Sequence, residues 1–313
     1  MTVDVLTYGE TMGLVDAERI GPLRLGGPMR LSMAGAESTV AIGVARLGGS
    51  ARWVGVVGDD EVGVLITRVL RAEGVQTDGV AVAGDVPTGL LLKERRTASV
   101  SRVRYYRRGN AGSRLSPEHV RPGDVADAKI LLLSGITPAL SATAREAVFE
   151  ALTLARHAGT TVCVDVNHRS SLWSTDEARP VLAEMVARAD IVLATAEEAT
   201  LLVDGSPAEA AQRLCGLGPR LAVVKRGADG AVACDDGNIH EVAPHPAEVV
   251  DPVGAGDAFA AGLLADLALG RPAVQALRTA ASVAAINVAC PGDWEGLPTR
   301  AELDHGRGAD VLR

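Results

Sequence analysis

Aromatic side chains are scarce in this 313-residue chain: three Trp, three Tyr and two Phe, 3% of the total. Aliphatic side chains must therefore fill the core, and little material is left for the stacking platforms that hold single-stranded nucleic acid. The four cysteines, Cys163, Cys215, Cys234 and Cys290, show no CxxC spacing, which argues against a zinc site or a disulfide scaffold; we read them as buried thiols. Six histidines form no HExxH pattern, so transition-metal chemistry has no support. No apolar run reaches the ~18 residues that cross a bilayer. The opening stretch MTVDVLTYGE carries an acid where a secretory leader carries Lys or Arg, and a cytoplasmic location is expected. The net charge of −8 opposes a duplex or an anionic membrane as partner. There is no GxxxxGK[ST] loop and no HRD or DFG set, and Phe259 stands where a dinucleotide fingerprint through Gly254 and Gly256 needs glycine.

What the chain has is a rhythm. Short apolar runs recur at 3–8, 52–57, 130–136, 162–166, 191–194 and 221–225, with helix-patterned stretches between them at 36–47, 61–73, 140–158, 176–188 and 207–215. Buried strands alternating with helices predict a mostly parallel sheet covered on both faces. Helical segments 256–269 and 273–289 follow, separated by Gly270 and Pro272, a stop and a restart. Segments 10–33 and 86–108, the second with a turn near Thr97 to Ser99, fit no βαβ unit and predict a small antiparallel sheet standing off the main domain. No repeat or long linker divides residues 1–313, which read as one domain.

Residues 251–262, DPVGAGDAFAAG, open the first of those closing helices. In an open parallel sheet, ligands bind beyond the carboxyl ends of the strands, where loops enter helices. Gly254, Ala255 and Gly256 carry almost no side chain, so an anion can reach the unpaired N–H groups of the first helical turn. Asp257 in that turn is kept ionised by the helix field, worth ~0.3–1 kcal/mol. It reads either as a helix-cap acid or as a base that accepts a proton from an attacking hydroxyl.

DPVGAGDAFAAG resembles the C-terminal signature of the ribokinase-like (PfkB) carbohydrate kinases, and AGAESTVAIGVARLGG at 34–49 resembles their N-terminal one. RVRYYRRGNAGSRLSP, LLLSGITPALS, VDVNHRSSLWS and VVKRGADGA are similar to segments of the 2-keto-3-deoxygluconate kinases, and the likeness runs from about residue 4 to about residue 298. The resemblance implies a three-layer α/β/α sandwich with a small β-sheet lid, ATP as phosphate donor and Mg²⁺. It makes Asp257 the catalytic base and the amides of Gly254, Ala255, Gly256 and Asp257 the anion hole. Lys225, Gly227 and Gly230 would border the nucleotide, with the two glycines leaving room for it, and Asn167 and Arg169 would approach it. For Lys225 the plain alternative is a strand–turn–strand. Glu198 would hold Mg²⁺ through water, although Thr195 replaces the Asn that accompanies that acid in the family. Asp251 either helps hold a monovalent cation such as K⁺ or caps the turn.

On the sugar side, strand alternation over 101–108 puts Val103, Tyr105 and Arg107 on one face and Arg102, Arg104, Tyr106 and Arg108 on the other. A phenol beside a guanidinium suits the hydroxyls and carboxylate of a sugar acid, while the second face reads as a solvated basic edge. The run is too short, and the chain too acidic, for nucleic-acid binding. By resemblance Tyr105, Arg107 and Arg169 would hold the substrate, with Gly35, Ala36 and Asp293 near it. Arg169 is thus a candidate for either end of the site. Two positions depart from the family pattern: Thr39 replaces an Asn and loses its two-donor fork, and Leu91 replaces a substrate-facing Tyr.

These features predict an ATP-dependent kinase of 2-keto-3-deoxygluconate or a similar sugar acid, with Asp257 deprotonating the primary hydroxyl. The alternatives are a kinase for a neutral ketohexose, another sugar acid or a nucleoside, and a non-catalytic sugar- or nucleotide-binding protein. A homo-oligomer is expected, because pairing of two chains would cover the lid's edge.

Overall fold

The computed structural model describes residues 2–97 and 100–305. The strands are β1 Val3–Tyr8, β2 Met12–Ala17, β3 Met29–Ala34, β4 Ala51–Val54, β5 Val56–Gly58, β6 Ala81–Ala83, β7 Leu90–Arg95, β8 Ser101–Tyr106, β9 Ala128–Ser134, β10 Thr161–Asp165, β11 Ile191–Thr195, β12 Leu221–Lys225, β13 Ala231–Asp235 and β14 Asn238–Val242. The helices are α1 Ala36–Arg46, α2 Glu61–Ala72, α3 Pro122–Ala126, α4 Ala142–Ala158, α5 Thr175–Ala187, α6 Ala196–Ala199, α7 Pro207–Cys215, α8 Ala255–Ala268, α9 Ala273–Asn287 and α10 Arg300–His305.

The apolar runs form an eight-stranded sheet in the order β14-β13-β12-β11-β10-β9-β1-β4. From β12 to β4 every neighbouring pair is parallel, as the alternation with helices predicts. Successive strand residues point to opposite faces, so Leu131, Leu133, Val162 and Val164 join one core with α4, α5 and α7. Ile130, Leu132, Cys163 and Leu193 join a second core with α1, α2, α8 and α9. Two cores on one sheet make the α/β/α sandwich.

Small residues set the spacing of the second layer. A Cβ on Gly43 of α1 would lie 2.5 Å from the Ala261 Cβ of α8, and one on Gly262 would lie 2.8 Å from the Ala280 Cα of α9. Helices that meet this closely need Ala and Gly at the contact, which accounts for the alanine-rich character of α8, buried continuously from Ala258 to Asp266.

β13 and β14 close one edge as an antiparallel hairpin and were not anticipated. Asp236 and Gly237, at φ 45° and 84°, make its two-residue turn; Asp-Gly is the dipeptide such a turn favours. The run at 52–57 is broken at Gly55, where a Cβ would lie 2.5 Å from the Gly9 carbonyl oxygen, and β5 leaves to pair with β6 in a separate ribbon. Of the cysteines expected inside, Cys163 and Cys234 are buried and Cys215 partly so, whereas Cys290 is exposed in the turn after α9. Among the described residues no helix is long and apolar enough to cross a membrane.

The predicted lid is a four-stranded sheet in the order β3-β2-β7-β8. It is mixed rather than antiparallel. The β2–β3 and β7–β8 pairs are antiparallel, but β2 and β7 run parallel. More than seventy residues separate those two strands, so no tight turn constrains their relative direction. The turn expected near 97–99 falls partly on residues 98 and 99, which lie outside the described residues.

Candidate active site

The carboxyl ends of β9, β10 and β12 deliver Ser134, Asp165 and Lys225 to one rim, and α8 enters that rim by its N-terminus. A small cleft there is lined by Ala36, Glu37, Ser134, Asp165, Asn167 and Asp257.

Gly254 precedes α8 in the left-handed region, φ 77°, and a Cβ on it would lie 2.1 Å from the Asp293 carbonyl oxygen. Only glycine fits, and the loop carrying residues 251–254 is thereby pressed onto residue 293. Ala255, Gly256 and Asp257 form the first turn, where amides have no intrahelical acceptor. Burial, reinforced by the negative charge of Asp165, pushes the Asp257 carboxyl up to about 6. Burial likewise lifts Asp293 to about 7, against the pull of Lys93 and with a further push from Asp257.

Lys225 ends β12 and places its Nζ 2.8 and 3.1 Å from the two carboxylate oxygens of Asp165. A Cβ on Gly256 would lie 3.5 Å from that Nζ, so the ammonium stands beside the amides of the first turn. Glu198 is the N3 residue of a capping box: its Oε2 accepts from the Thr195 N–H at 2.8 Å, and Thr195 Oγ1 accepts from the Glu198 N–H at 3.1 Å. That is what Thr195 does where the family pattern has Asn. The other Glu198 oxygen lies 3.6 Å from Arg169 Nη1. Arg169, left open between the two ends of the site, therefore sits with Glu198, and its charge is felt by Asp165 and Asp257. Asn167 is buried on the rim at φ 39°, a left-handed conformation that Asn tolerates better than most residues.

The turn after β12 separates its two glycines. Gly227, at φ 58°, is exposed with nothing near its missing Cβ. Gly230 answers to a different demand from the one expected of it, since its missing Cβ points 2.1 Å from the Val242 carbonyl oxygen inside the β13–β14 hairpin.

The lid brings other residues over the rim. Leu14, Leu91 and Tyr105 are cross-strand neighbours and so share a face. Leu91 is buried in an apolar cluster with Leu14 and Ala34. Tyr105 is 41% exposed, with the Arg107 guanidinium 5.5 Å from its ring centroid. Arg107 is ion-paired with buried Glu10, while its Nε is buried without a hydrogen-bond partner among the described residues. Thr11 Oγ1, Thr39 Oγ1 and Asp293 Oδ1 are in the same condition. A Cβ on Gly35 would lie within 3 Å of the Glu10 carbonyl oxygen and of Thr11 Oγ1, so α1 begins in close contact with that polar group. Asp251 is not open: its carboxylate meets the Lys93 ammonium.

Sequence reading missed Glu37, Asp165 and Lys93. Glu37 is buried, accepts from Thr137 Oγ1 at 2.9 Å and from Ser134, and burial raises its carboxyl. An acid in the first turn of an otherwise buried helix was its signal. A lone acid at the end of the apolar run VCVDV was the signal for Asp165. Lys93, a lone charge among the leucines of LLLKER, gave no local signal, because its partner is remote in sequence.

A model of the pfkB family carbohydrate kinases matches residues 3–300. The 2-dehydro-3-deoxygalactonokinase of Haloferax volcanii is 36% identical over 300 residues, 94% of this chain and 93% of that one. The 2-dehydro-3-deoxygluconokinase of Bacillus subtilis is 34% identical over 310 residues, 97% and 95% of the two chains. An E. coli protein assigned as a ribokinase II and solved with ATP and Mg²⁺ is 27% identical, with a TM-score of 0.89 over 97% of this chain and 98% of that one.

Proposed function

The chain belongs to the pfkB family of carbohydrate kinases, and from that premise we propose that it transfers the γ-phosphate of ATP to the primary hydroxyl of a 2-keto-3-deoxy sugar acid. The observation that carries this reading is Asp257. Its carboxyl, raised to about 6, stays ionised at neutral pH yet is basic enough to take a proton, and it stands in the same helical turn as the amides that would face the phosphate.

MgATP enters as substrate. The Asp165 and Glu198 carboxylates suit a hard cation, and no cluster of three or more metal-donor side chains occurs among the described residues. Mg²⁺ would then be carried on the phosphates, with Glu198 reached through water. Lys225 and Arg169 lie where phosphate charge would need neutralising, and Gly227 leaves open space at the rim. Asp257 accepts the hydroxyl proton as the sugar oxygen attacks in line, and the 254–257 amides hold the charge that develops on the transferred group. Arg107, with an uncommitted Nε, and Tyr105 offer the carboxylate and hydroxyl contacts of a sugar acid. Leu91 offers none, so less of the sugar's hydroxyl stereochemistry is read by hydrogen bonds. One relative is named for the galactonate compound and another for its gluconate epimer, so both sugar acids are candidates here.

An ADP-release assay over 2-keto-3-deoxygluconate, its galactonate epimer, fructose and a nucleoside tests the proposal. Both sugar acids are expected to be phosphorylated well ahead of the neutral compounds, and a neutral preferred substrate would refute the role of Arg107. Asp257→Asn is expected to lower kcat by ~10²-fold or more while ATP binding by calorimetry persists. Arg107→Lys keeps the charge but loses the planar fork, so KM for the sugar acid should rise and KM for ATP should not.

A further inference from the structure

Asp251 stands three residues before the anion hole, where a monovalent cation was one expectation for it. That position is taken by the chain itself. Lys93, on the lid strand β7, is 2% exposed and ion-paired with Asp251, which is also buried. Asp251 further accepts from the Val253 N–H and the Gly292 N–H, each at 3.2 Å. Across the β2–β7 ladder Lys93 lies opposite buried Asp16, and its charge is felt at Asp293. One ammonium is thus paired with Asp251, from the loop before α8, and its charge also reaches Asp16 of the lid and Asp293 of the loop after α9.

Burying a lysine costs several kcal/mol unless an acid is there to meet it. This one is met, and it sits where two loops converge on Gly254. Asp251 donates its backbone N–H to the Val288 carbonyl at 3.1 Å, and Asn287 Nδ2 donates to the Asp293 carbonyl at 3.1 Å. The Asp293 carbonyl is in turn what forbids a side chain on Gly254. Displacing the Lys93–Asp251 pair therefore moves the backbone whose amides open α8.

Taking the kinase reading as given, we propose that Lys93 is the built-in cation of the phosphate-binding loop, a positioning residue that occupies the place an external K⁺ would hold at Asp251, so that turnover needs no added monovalent cation. Ammonium and K⁺ are similar in size and share a charge, so either can neutralise the buried Asp251 carboxylate. Because Lys93 lies on β7, the lid is fastened to the anion-hole loop by the same contact.

The test compares wild type with Lys93→Met in buffers whose monovalent cation is K⁺, NH₄⁺ or tetramethylammonium. Wild type should show the same kcat and melting temperature in all three. In tetramethylammonium, Lys93→Met should lose ~10²-fold in kcat through misplaced amides, with KM for ATP little changed and a lower melting temperature. K⁺ or NH₄⁺ should restore part of both. A wild-type rate that falls about tenfold or more without K⁺, an unaffected Lys93→Met, or a loss that neither small cation repairs would overturn the proposal. Should Lys93→Met not fold, the wild-type cation series decides alone. The melting curves need no sugar, so a failed substrate screen would count against the sugar-acid reading while still settling the role of Lys93.

Discussion

Asp257 is pulled two ways. The helix N-terminus favours its charge, while burial and the neighbouring Asp165 oppose it, and the opposition prevails by lifting the carboxyl to about 6. The base form is lost as pH falls through that value, so log kcat/KM should decline with a slope approaching one below pH 6 and level off above it. A flat profile down to pH 5 would remove Asp257 from proton transfer. Stability carries the opposite sign. The folded-state value lies above that of the unfolded chain, so folding binds the proton, and stability falls as pH rises from about 4 to about 6 before levelling. Asp257→Asn should consequently melt higher than wild type at pH 8 and no higher near pH 4. For Lys225→Met the buried Asp165 carboxylate is left without its ammonium, a loss of roughly 3–5 kcal/mol, and adding Asp165→Asn should recover much of it in urea titrations.

At the scale of elements, α8 combines a rigid frame with a reactive end. Gly262 has the Ala280 Cα, not a mobile side chain, facing its missing Cβ. Gly262→Val should therefore force α8 and α9 apart and cost about 1–3 kcal/mol by calorimetry; an unchanged melting temperature would show that the contact yields. The elements legible in the sequence were those whose signal is local. The apolar runs of β1 and β9–β12 and the restart between Gly270 and Pro272 follow from hydrophobic pattern and backbone chemistry, and so does the glycine entrance to α8. The β13–β14 hairpin was missed although Asp236-Gly237 is a local signal for it, and the mixed geometry of the lid was missed because no local feature fixes the direction of β7 relative to β2. The same distinction holds in the site. Asp257 is announced by its neighbours in sequence, whereas Lys93 gains its meaning only from Asp251, 158 residues away.

At the scale of the whole molecule, the two apolar cores sandwich the main sheet, while among the described residues the lid's own buried cluster is Leu14, Ala34 and Leu91. Local opening should follow that imbalance. In hydrogen exchange read by mass spectrometry, peptides over β8 should exchange fastest among the strands and those over β9 and β11 slowest, and sugar acid together with a non-hydrolysable nucleotide should slow the lid selectively. Equal protection of lid and main sheet without ligand would contradict it. The division has a historical corollary. Since the proposed proton acceptor rides on a coil hemmed in by alanines, while Tyr105, Arg107 and Leu91, the proposed sugar-side residues, ride on a thin flap, a change of diet by redecorating the flap would leave the engine untouched.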